Sequence, residues 1–467
     1  MATDEKKPNG AAKTGRSNGD VDGAITRRQA LSRLGWAAAG AATLAVAEGV
    51  GYLAYKGLST PSSPSPTMVK LGAVLSLTGA YGSFGQGVAF GHRQAIADIN
   101  NAGGINVNGT KLQVSYTAYD DASEASQAAL LASQAILTDK VDLLVDGVCT
   151  SVTTNPISST ADRYGVPWIG GSPWESWWAG GPYKYAWSIL FRITTEPSGY
   201  PTGYTITDNY IGLTNQVKSQ TNGNVAVLAT NDADGAGWYD VFPGILKSAG
   251  YNVVDPQEVT VGTTDYSDII NSWKSAPCDV LWGNLPSPDF GTFWSQAADI
   301  GFRPKMALIG RAPLFYQDVT TWRGSVSNLP LGVCSEVWWD PSWGFSGVGN
   351  TTSQSLASAW ASQYNTPLNR AVGFGYAAVQ IAADAITRAG TLNKDDVNTA
   401  ISQTSGSFMT GPIKFLSDTH DSPAPVTMMQ WQQGTGSQPN WVDPIVYSML
   451  PSFPTTGSMI FPLPAWS

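Results

Sequence analysis

From residue 68 onward the apolar residues fall into two alternating rhythms. Short runs rich in Val, Ile and Leu occur at 69–77 (VKLGAVLSL), 111–119 (KLQVSYTAY), 141–146 (VDLLVD), 166–170 (VPWIG), 186–193, 224–229 (NVAVLA), 253–259, 279–282, 306–309 and 331–337. Between them lie segments whose apolar positions recur every three or four residues, the spacing of one helix face. These are 88–101, 122–137, 157–164, 203–220, 239–249, 266–275 and 290–301, with two more at 373–388 and 394–404. Strands alternating with helices of this length predict βαβ units and parallel sheets. Two such runs, with crossings near 186–193 and 331–337, predict an α/β protein of two interleaved, doubly wound, Rossmann-like lobes joined by a hinge. Segments 411–416 and 426–432 read as a hairpin around 417–425, and the last 20 residues as an irregular tail.

Four loops follow strands and should converge on a cleft: 78–87 (TGAYGSFGQG), 147–156 (GVCTSVTTNP), 171–181 (GSPWESWWAGG) and 230–237 (TNDADGAG). In open α/β sheets ligands bind outside the carboxyl ends of the strands, where such loops meet helix N-termini. The loops offer backbone N–H groups, hydroxyls, tryptophan and aspartate, and no nucleophile–base pair. That points to holding a small molecule rather than transforming it, so no enzyme is expected.

Composition narrows the choice further. The net charge of −9 argues against a nucleic-acid partner. Two histidines and three cysteines without a CxxC pair leave no zinc site, and the odd cysteine count gives no disulfide framework. No Walker A or GxSxG motif is present, and the glycines of 79–87 do not fit a dinucleotide fingerprint; no cofactor and no metal are expected. Asp120–Asp121 with Asp232 and Asp234 could serve as paired carboxylates for glycoside hydrolysis, but acidic residues at strand ends commonly cap the next helix, and Asp121-Ala-Ser-Glu124 fits a capping box. His92 and His420 read as ordinary structural histidines. Charged residues make up only 13% of the chain, against about 25% in typical domains. A surface so poor in charge suits an acidic or hot exterior, and compositional drift accounts for it equally well. The 18 tryptophans are unusually many; Trp174, Trp177, Trp178 and Trp238 either wall a pocket or pack between helices.

The first 67 residues carry their own signals. Residues 1–25 are polar and expected to be a disordered tail on the cytoplasmic side. Thr26-Arg27-Arg28-Gln29-Ala30-Leu31 is a twin-arginine export pattern. The apolar stretch 34–55 is either a signal cleaved after Ala45-Val46-Ala47 or a retained membrane anchor. The Ser/Pro-rich stretch 58–67 is a stiff stalk. A stalk serves something tethered, so retention on the outer face of the cell membrane is the expectation.

The segment LGAVLSLTGAYGSFGQGVAFGHRQAIADINNAGG resembles the opening of the periplasmic branched-chain amino-acid-binding proteins, the type I solute receptors of ABC importers. The resemblance rests on the Ser/Thr-Gly loop, the Phe84–Gly85 pair and the turn at 101–105, and runs from Met68 to about Pro444, weaker in the later segments. It implies an extracytoplasmic, non-enzymatic protein that captures a small polar solute by hinge closure and presents it to a membrane permease. A ligand-sensing ectodomain is the alternative. The resemblance also implies a third crossing near 415–426, giving lobe 1 as 68–191 with 331–414 and lobe 2 as 192–330 with 415–467. Residue by residue, Thr150 in Cys149-Thr150-Ser151 matches the hydroxyl that binds the ligand carboxylate, with backbone help from its neighbours. Phe84 matches an aromatic residue that packs on the ligand, and Ser172 a backbone-carbonyl contact. The chain departs from the pattern at three places. Trp174 falls where the family often has Thr, Asp234 replaces an aromatic residue before a glycine, and Arg311–Ala312 sits where amino-acid receptors place the Glu that holds the ammonium group. The solute is therefore an amino acid with Asp234 as the substitute, or an amide, urea-like compound or aromatic acid, with Arg311 gripping a carboxylate.

Overall fold

A computed structural model describes residues 67–467; the tail, the twin-arginine segment and nearly all of the stalk lie outside the described residues. In chain order the elements of the first lobe are β1 (Met68–Leu75), α1 (Gly82–Asn101), β2 (Ile105–Val107), β3 (Thr110–Asp120), α2 (Ala125–Leu137), β4 (Leu143–Val148), α3 (Ser151–Arg163), β5 (Trp168–Gly171), α4 (Trp174–Trp178) and β6 (Ala186–Ser188). The chain then crosses and builds α5 (Ile206–Gln216), β7 (Asn224–Thr230), α6 (Ala233–Ser248), β8 (Asn252–Val259), α7 (Ser267–Ser275), β9 (Val280–Leu285), α8 (Ser287–Ile300), β10 (Met306–Arg311), α9 (Tyr316–Val319) and β11 (Val333–Val337). Next come α10 (Ser353–Tyr364), α11 (Ala371–Ala389), α12 (Lys394–Ser402), β12 (Ser405–Phe408) and β13 (Gly411–Lys414). The chain ends with β14 (Thr427–Gln430), β15 (Gln432–Gln433), β16 (Trp441–Val442) and β17 (Ile445–Tyr447).

The first sheet has the order β2-β3-β1-β4-β5-β6 and is parallel except for β2. The second has the order β17-β14-β11-β10-β9-β7-β8, parallel from β11 to β8 and antiparallel at β14 and β17. Both sheets are covered on two faces, which is why their inner strands are continuous apolar runs. On the first, α1 and α11 pack on one side, while Ala128, Ala132, Ile157 and Trp168 form a separate core on the other. On the second, Tyr210, Trp238, Phe242 and Trp282 pack edge to face or tilted on one side, and Trp273, Phe290, Phe293 and Trp294 fill the other. Eleven of the tryptophans are among the largest fully buried side chains. Most are therefore core rather than pocket wall.

Two expectations are corrected here. Residues 331–337 do not return the chain to the first lobe: β11 pairs in parallel with β10 and antiparallel with β14, inside the second sheet. The return follows Val337, because β11 still has a parallel neighbour to satisfy its backbone. The hairpin between 411–416 and 426–432 does not form either. β13 pairs with β12, and β14 is claimed by β11 and β17. The irregular tail is as expected. No helix or strand follows Tyr447, and Trp466 packs edge to face on Trp294, 4.9 Å between ring centres.

Helices begin earlier than the polar loops suggest. α1 starts at Gly82, α3 at Ser151 and α6 at Ala233, so part of each supposed loop is a first helical turn. Glycine makes two of these starts possible. A Cβ on Gly85 would lie 2.0 Å from the Ser76 carbonyl oxygen, and one on Gly235 would lie 2.0 Å from that of Thr230. Helix α2 is the opposite case. Ala122 and Ser123 take positive φ, 54° and 67°, so the helix waits until Ala125. The expected capping box is absent, and the Asp121 carboxylate instead accepts from the Ser123 N–H at 2.8 Å.

Candidate functional site: the cleft between the lobes

The strand order reverses beside β1 and β4 in the first sheet and beside β7 and β9 in the second. Such switch points open a crevice at the carboxyl ends of the strands. The two crevices face each other. They share a cavity with about 310 Å³ of atom-free space, lined by residues that include Phe84, Val148, Cys149, Thr150, Leu190, Phe191, Asp234, Trp238, Asn284, Arg311, Glu336 and Trp338. That figure takes in space open to solvent; the room left for the centre of a water-sized sphere is about 20 Å³, so the two walls stand close together.

The lobes touch around it. The Phe84 and Phe315 rings meet edge to face at 4.7 Å. The Ser83 hydroxyl donates to Asp318 at 2.6 Å, and the Ser151 N–H donates to Asp234 Oδ1 at 3.2 Å. Arg311 reaches the Tyr81 hydroxyl at 3.4 Å.

On lobe 2, Asp232 caps α6, accepting from the N–H groups of Asp234 and Gly235 at 3.0 Å each. Its two carboxylate oxygens also accept from Arg311, at 2.9 and 3.1 Å, and the Thr230 hydroxyl donates to it at 2.8 Å. Arg311 donates further to Thr230 Oγ1 at 2.9 Å. These bonds hold Arg311 in the left-handed region at φ 63°, a conformation that costs a non-glycine residue roughly 1–3 kcal/mol. Burial works against the charge on Arg311, yet Asp232 and Tyr81 hold the guanidinium above its usual range. Burial likewise opposes the charge on Asp232, but Arg311 keeps its carboxyl below the usual range. Asp234 differs. Burial raises its carboxyl, only partly countered by Arg311, whose Nε lies 3.8 Å away. Glu336 is also raised by burial, while accepting from Tyr210 at 2.8 Å and Ser335 at 3.1 Å.

On lobe 1, α3 begins with Thr150 in the capping position, but its side chain makes no capping bond. The Thr150 hydroxyl is buried and has no hydrogen-bond partner in the protein; the same holds for Trp238 Nε1, both side-chain amide atoms of Asn284 and Arg311 Nε. All four of these residues line the cavity. Buried polar groups of proteins are otherwise almost always bonded, so these are the groups a solute would meet.

Of the predicted residues, Phe84, Cys149, Thr150, Asp234 and Arg311 line the cavity. Ser151 borders it, donating its N–H to Asp234 while its hydroxyl pairs with that of Ser172 at 2.9 Å. Ser172 lies one layer back, its carbonyl engaged by the Ser188 hydroxyl at 3.2 Å. Trp174 sits at the crossing instead. Its ring covers Arg192 at 4.4 Å and its indole donates to the Thr419 carbonyl at 3.1 Å. Arg192 in turn grips Asp421 with two bonds of 2.8 and 2.9 Å, joining two crossing segments. Asp120 turns to the backbone at 77–78, away from any pairing with Asp232 or Asp234. Asn284 and Glu336 were missed as site residues. The signal for both was available, since each is a polar residue near the carboxyl end of an otherwise apolar strand. Cys149, Cys278 and Cys334 are free, and burial pushes their thiols up to about 12. Among the described residues no group of three or more His, Cys, Asp or Glu side chains could hold a metal ion, and no helix is long and apolar enough to cross a membrane.

A family model described as periplasmic binding protein matches residues 68–436. The chain belongs to that family. The Leu/Ile/Val/Thr/Ala-binding protein of Pseudomonas aeruginosa is 24% identical over 366 residues, 78% of this chain and 89% of the relative. A Leu/Ile/Val-binding protein homolog of Brucella melitensis is 28% identical over 237 residues, half of this chain and only 59% of the relative. Among solved structures, a leucine-binding protein of Thermotoga maritima superposes with a TM-score of 0.66 at 19% identity, over 82% of this chain and 99% of that one. A solute-binding protein of R. palustris in complex with 4-hydroxybenzoate gives 0.64 at 16% identity, over 82% and 97%. These two establish the type I periplasmic binding protein fold.

Proposed function

We propose that this protein is the extracytoplasmic solute receptor of an ABC importer. It captures one small organic solute between its lobes and hands it to a membrane permease. The observation that carries this reading is the cavity itself, where aromatic walls from both lobes surround Thr150, Asn284, Trp238 and Arg311 atoms without protein partners. The relatives bear names of binding proteins rather than enzymes, which supports a protein that holds its solute unchanged. Calorimetric titration of the full chain with amino acids, amines, amides and aromatic acids tests it. A solute that binds only the native state at 100 times its Kd adds about 2.7 kcal/mol of stability. A panel in which no member releases heat or delays unfolding overturns the reading.

Export and tethering belong to the same proposal, resting on Arg27-Arg28 and the stalk. Replacing both arginines with Lys should leave the protein in the cytoplasm. A mature N-terminus at Glu48 removes the anchor.

A further inference from the structure

Two carboxylates in this cleft lack a hydrogen-bonded cation: among the described residues Glu336 forms no ion pair, and Asp234 faces only the Nε of Arg311, 3.8 Å away. Arg311 is already neutralised by two bonds to Asp232. Asp234 and Glu336 both line the cavity and are 3% and 2% exposed. The Asp234 carboxylate also has an unusual position. It is rooted in lobe 2, at the start of α6, but accepts from the Ser151 N–H, in the first turn of α3 on lobe 1. The start of a 13-residue helix is an anion site, because its free N–H groups and its dipole both favour negative charge. Asp234 fills that site from across the cleft. No residue of α3 does so, since the Thr150 side chain makes no capping bond.

We infer that Asp234 sets the specificity of the cleft: its carboxylate takes the anion position at the start of α3, so the solute is a small organic cation, an amine or amidine on an apolar body, with no carboxylate of its own. This rests on the reading of the cleft as a solute site. The cation would lie toward Asp234 and Glu336. The Thr150 hydroxyl and the Asn284 amide oxygen, both buried and unpartnered, accept its remaining N–H groups. Phe84, Phe191, Trp238, Trp338 and Leu190 surround the apolar body. A solute carboxylate would instead compete with Asp234 for the Ser151 N–H and stand beside two acidic side chains, while the one guanidinium lining the cavity, Arg311, is already held by Asp232.

Matched probes separate the alternatives. Isoamylamine and leucine differ by one carboxylate, as benzamidine and benzoate differ by the sign of their charged group. In calorimetry with the full chain, wild type should prefer the cation of each pair by at least tenfold. Asp234→Ala should lose that preference and gain affinity for the carboxylates; Asp234→Asn, which keeps the shape, should lose affinity for the cations. A second readout needs no solute. Millimolar acetate should raise the unfolding temperature of Asp234→Ala, by refilling the α3 site, and leave wild type unmoved, with acetamide inactive on both. Leucine or benzoate binding wild type as tightly as its partner overturns the inference, as does an Asp234→Ala variant indifferent to acetate. If all four probes fail on wild type while acetate still rescues the variant, occupancy of the α3 site by Asp234 stands and the solute-receptor reading is what has lost support.

Discussion

The two walls of the cleft are made from the same unit, a parallel strand running into a helix, and they carry opposite chemistry. At the lobe 2 wall, Thr230 ends β7, Asp232 caps α6, and the same Asp232 grips Arg311. The Thr230 hydroxyl and both Asp232 carboxylate oxygens serve neighbours in their own lobe. At the lobe 1 wall, Val148 ends β4 and α3 begins without a cap from its own chain segment. The Thr150 hydroxyl is left without a partner beside the cavity, and the Ser151 N–H reaches across the gap to Asp234. The cavity residues of lobe 1 are uncharged, while lobe 2 contributes Asp234, Arg311 and Glu336. A helix start satisfied locally is structure. The same start left open is an instrument of binding, because its half-charge must be met by whatever closes over it. Lobe 2 therefore sets the charge of the site, and lobe 1 supplies oriented dipoles.

Arg311→Ala breaks that contrast most severely. It leaves Asp232 buried beside no cation, and removing one partner of a buried pair costs about 3–5 kcal/mol. Unfolding in urea at pH 7 should show a loss of that size. An unchanged midpoint means that the ion cluster does not hold the lobe 2 wall together.

Thr150 and Thr230 sharpen the comparison, since each is the hydroxyl residue of a strand-to-helix junction lining one wall. Thr150→Ala removes a hydroxyl with no protein partner. Stability should stay within about 0.5 kcal/mol, as for changes away from packed or bonded groups. Affinity for the solute should fall about tenfold, the value of a hydrogen bond to a charged group, roughly 1.5–3 kcal/mol at most. Thr230→Ala removes a hydroxyl bonded to both Arg311 and Asp232. Stability should drop by about 1–2 kcal/mol, with affinity little changed. Calorimetry and urea unfolding on both variants give a crossed pattern; a parallel pattern removes the distinction between the walls.

The contrast was only half legible in the sequence. The alternation of strand and helix rhythms gave the two lobes, because burial on both faces of a parallel sheet leaves long apolar runs. The hydroxyl at Thr150 and the acid at Asp234 stood out as strand-end residues. Their contact did not, because the Ser151–Asp234 bond spans 83 residues and no local rule encodes it. Nor did the partner of Arg311. Its sequence neighbours are apolar, and Asp232 meets it only because β7 and β10 both flank β9. The missed strand assignment at Val333–Val337 has the same origin. A strand's rhythm says that it is buried, but its sheet is chosen by neighbours far away in the chain. Helix starts were placed too late at Gly82, Ser151 and Ala233 because glycine and hydroxyl residues suggest loops, whereas here they let a helix start closely against a strand end.

Asp318 offers the mildest perturbation and a test of which lobe holds the charge. Its side chain is half-buried where the lobes meet, and loss of solvent there raises its carboxyl to about 7, although the Ser83 hydroxyl from lobe 1 pulls the other way. With the lobes apart it should return toward the ordinary value near 3.9. The closed pKa is the higher one, so closing takes up a proton. Closure is favoured below about pH 7 and weakened as the pH rises through that value. Linkage then predicts that solute affinity improves by about fivefold from pH 7 to pH 6. Asp318→Asn should flatten this dependence without abolishing binding, since the amide can still accept from Ser83. A steeper affinity at higher pH, or an Asn variant that keeps the full slope, places the titrating group elsewhere, with Asp234 and Glu336 the next two to replace.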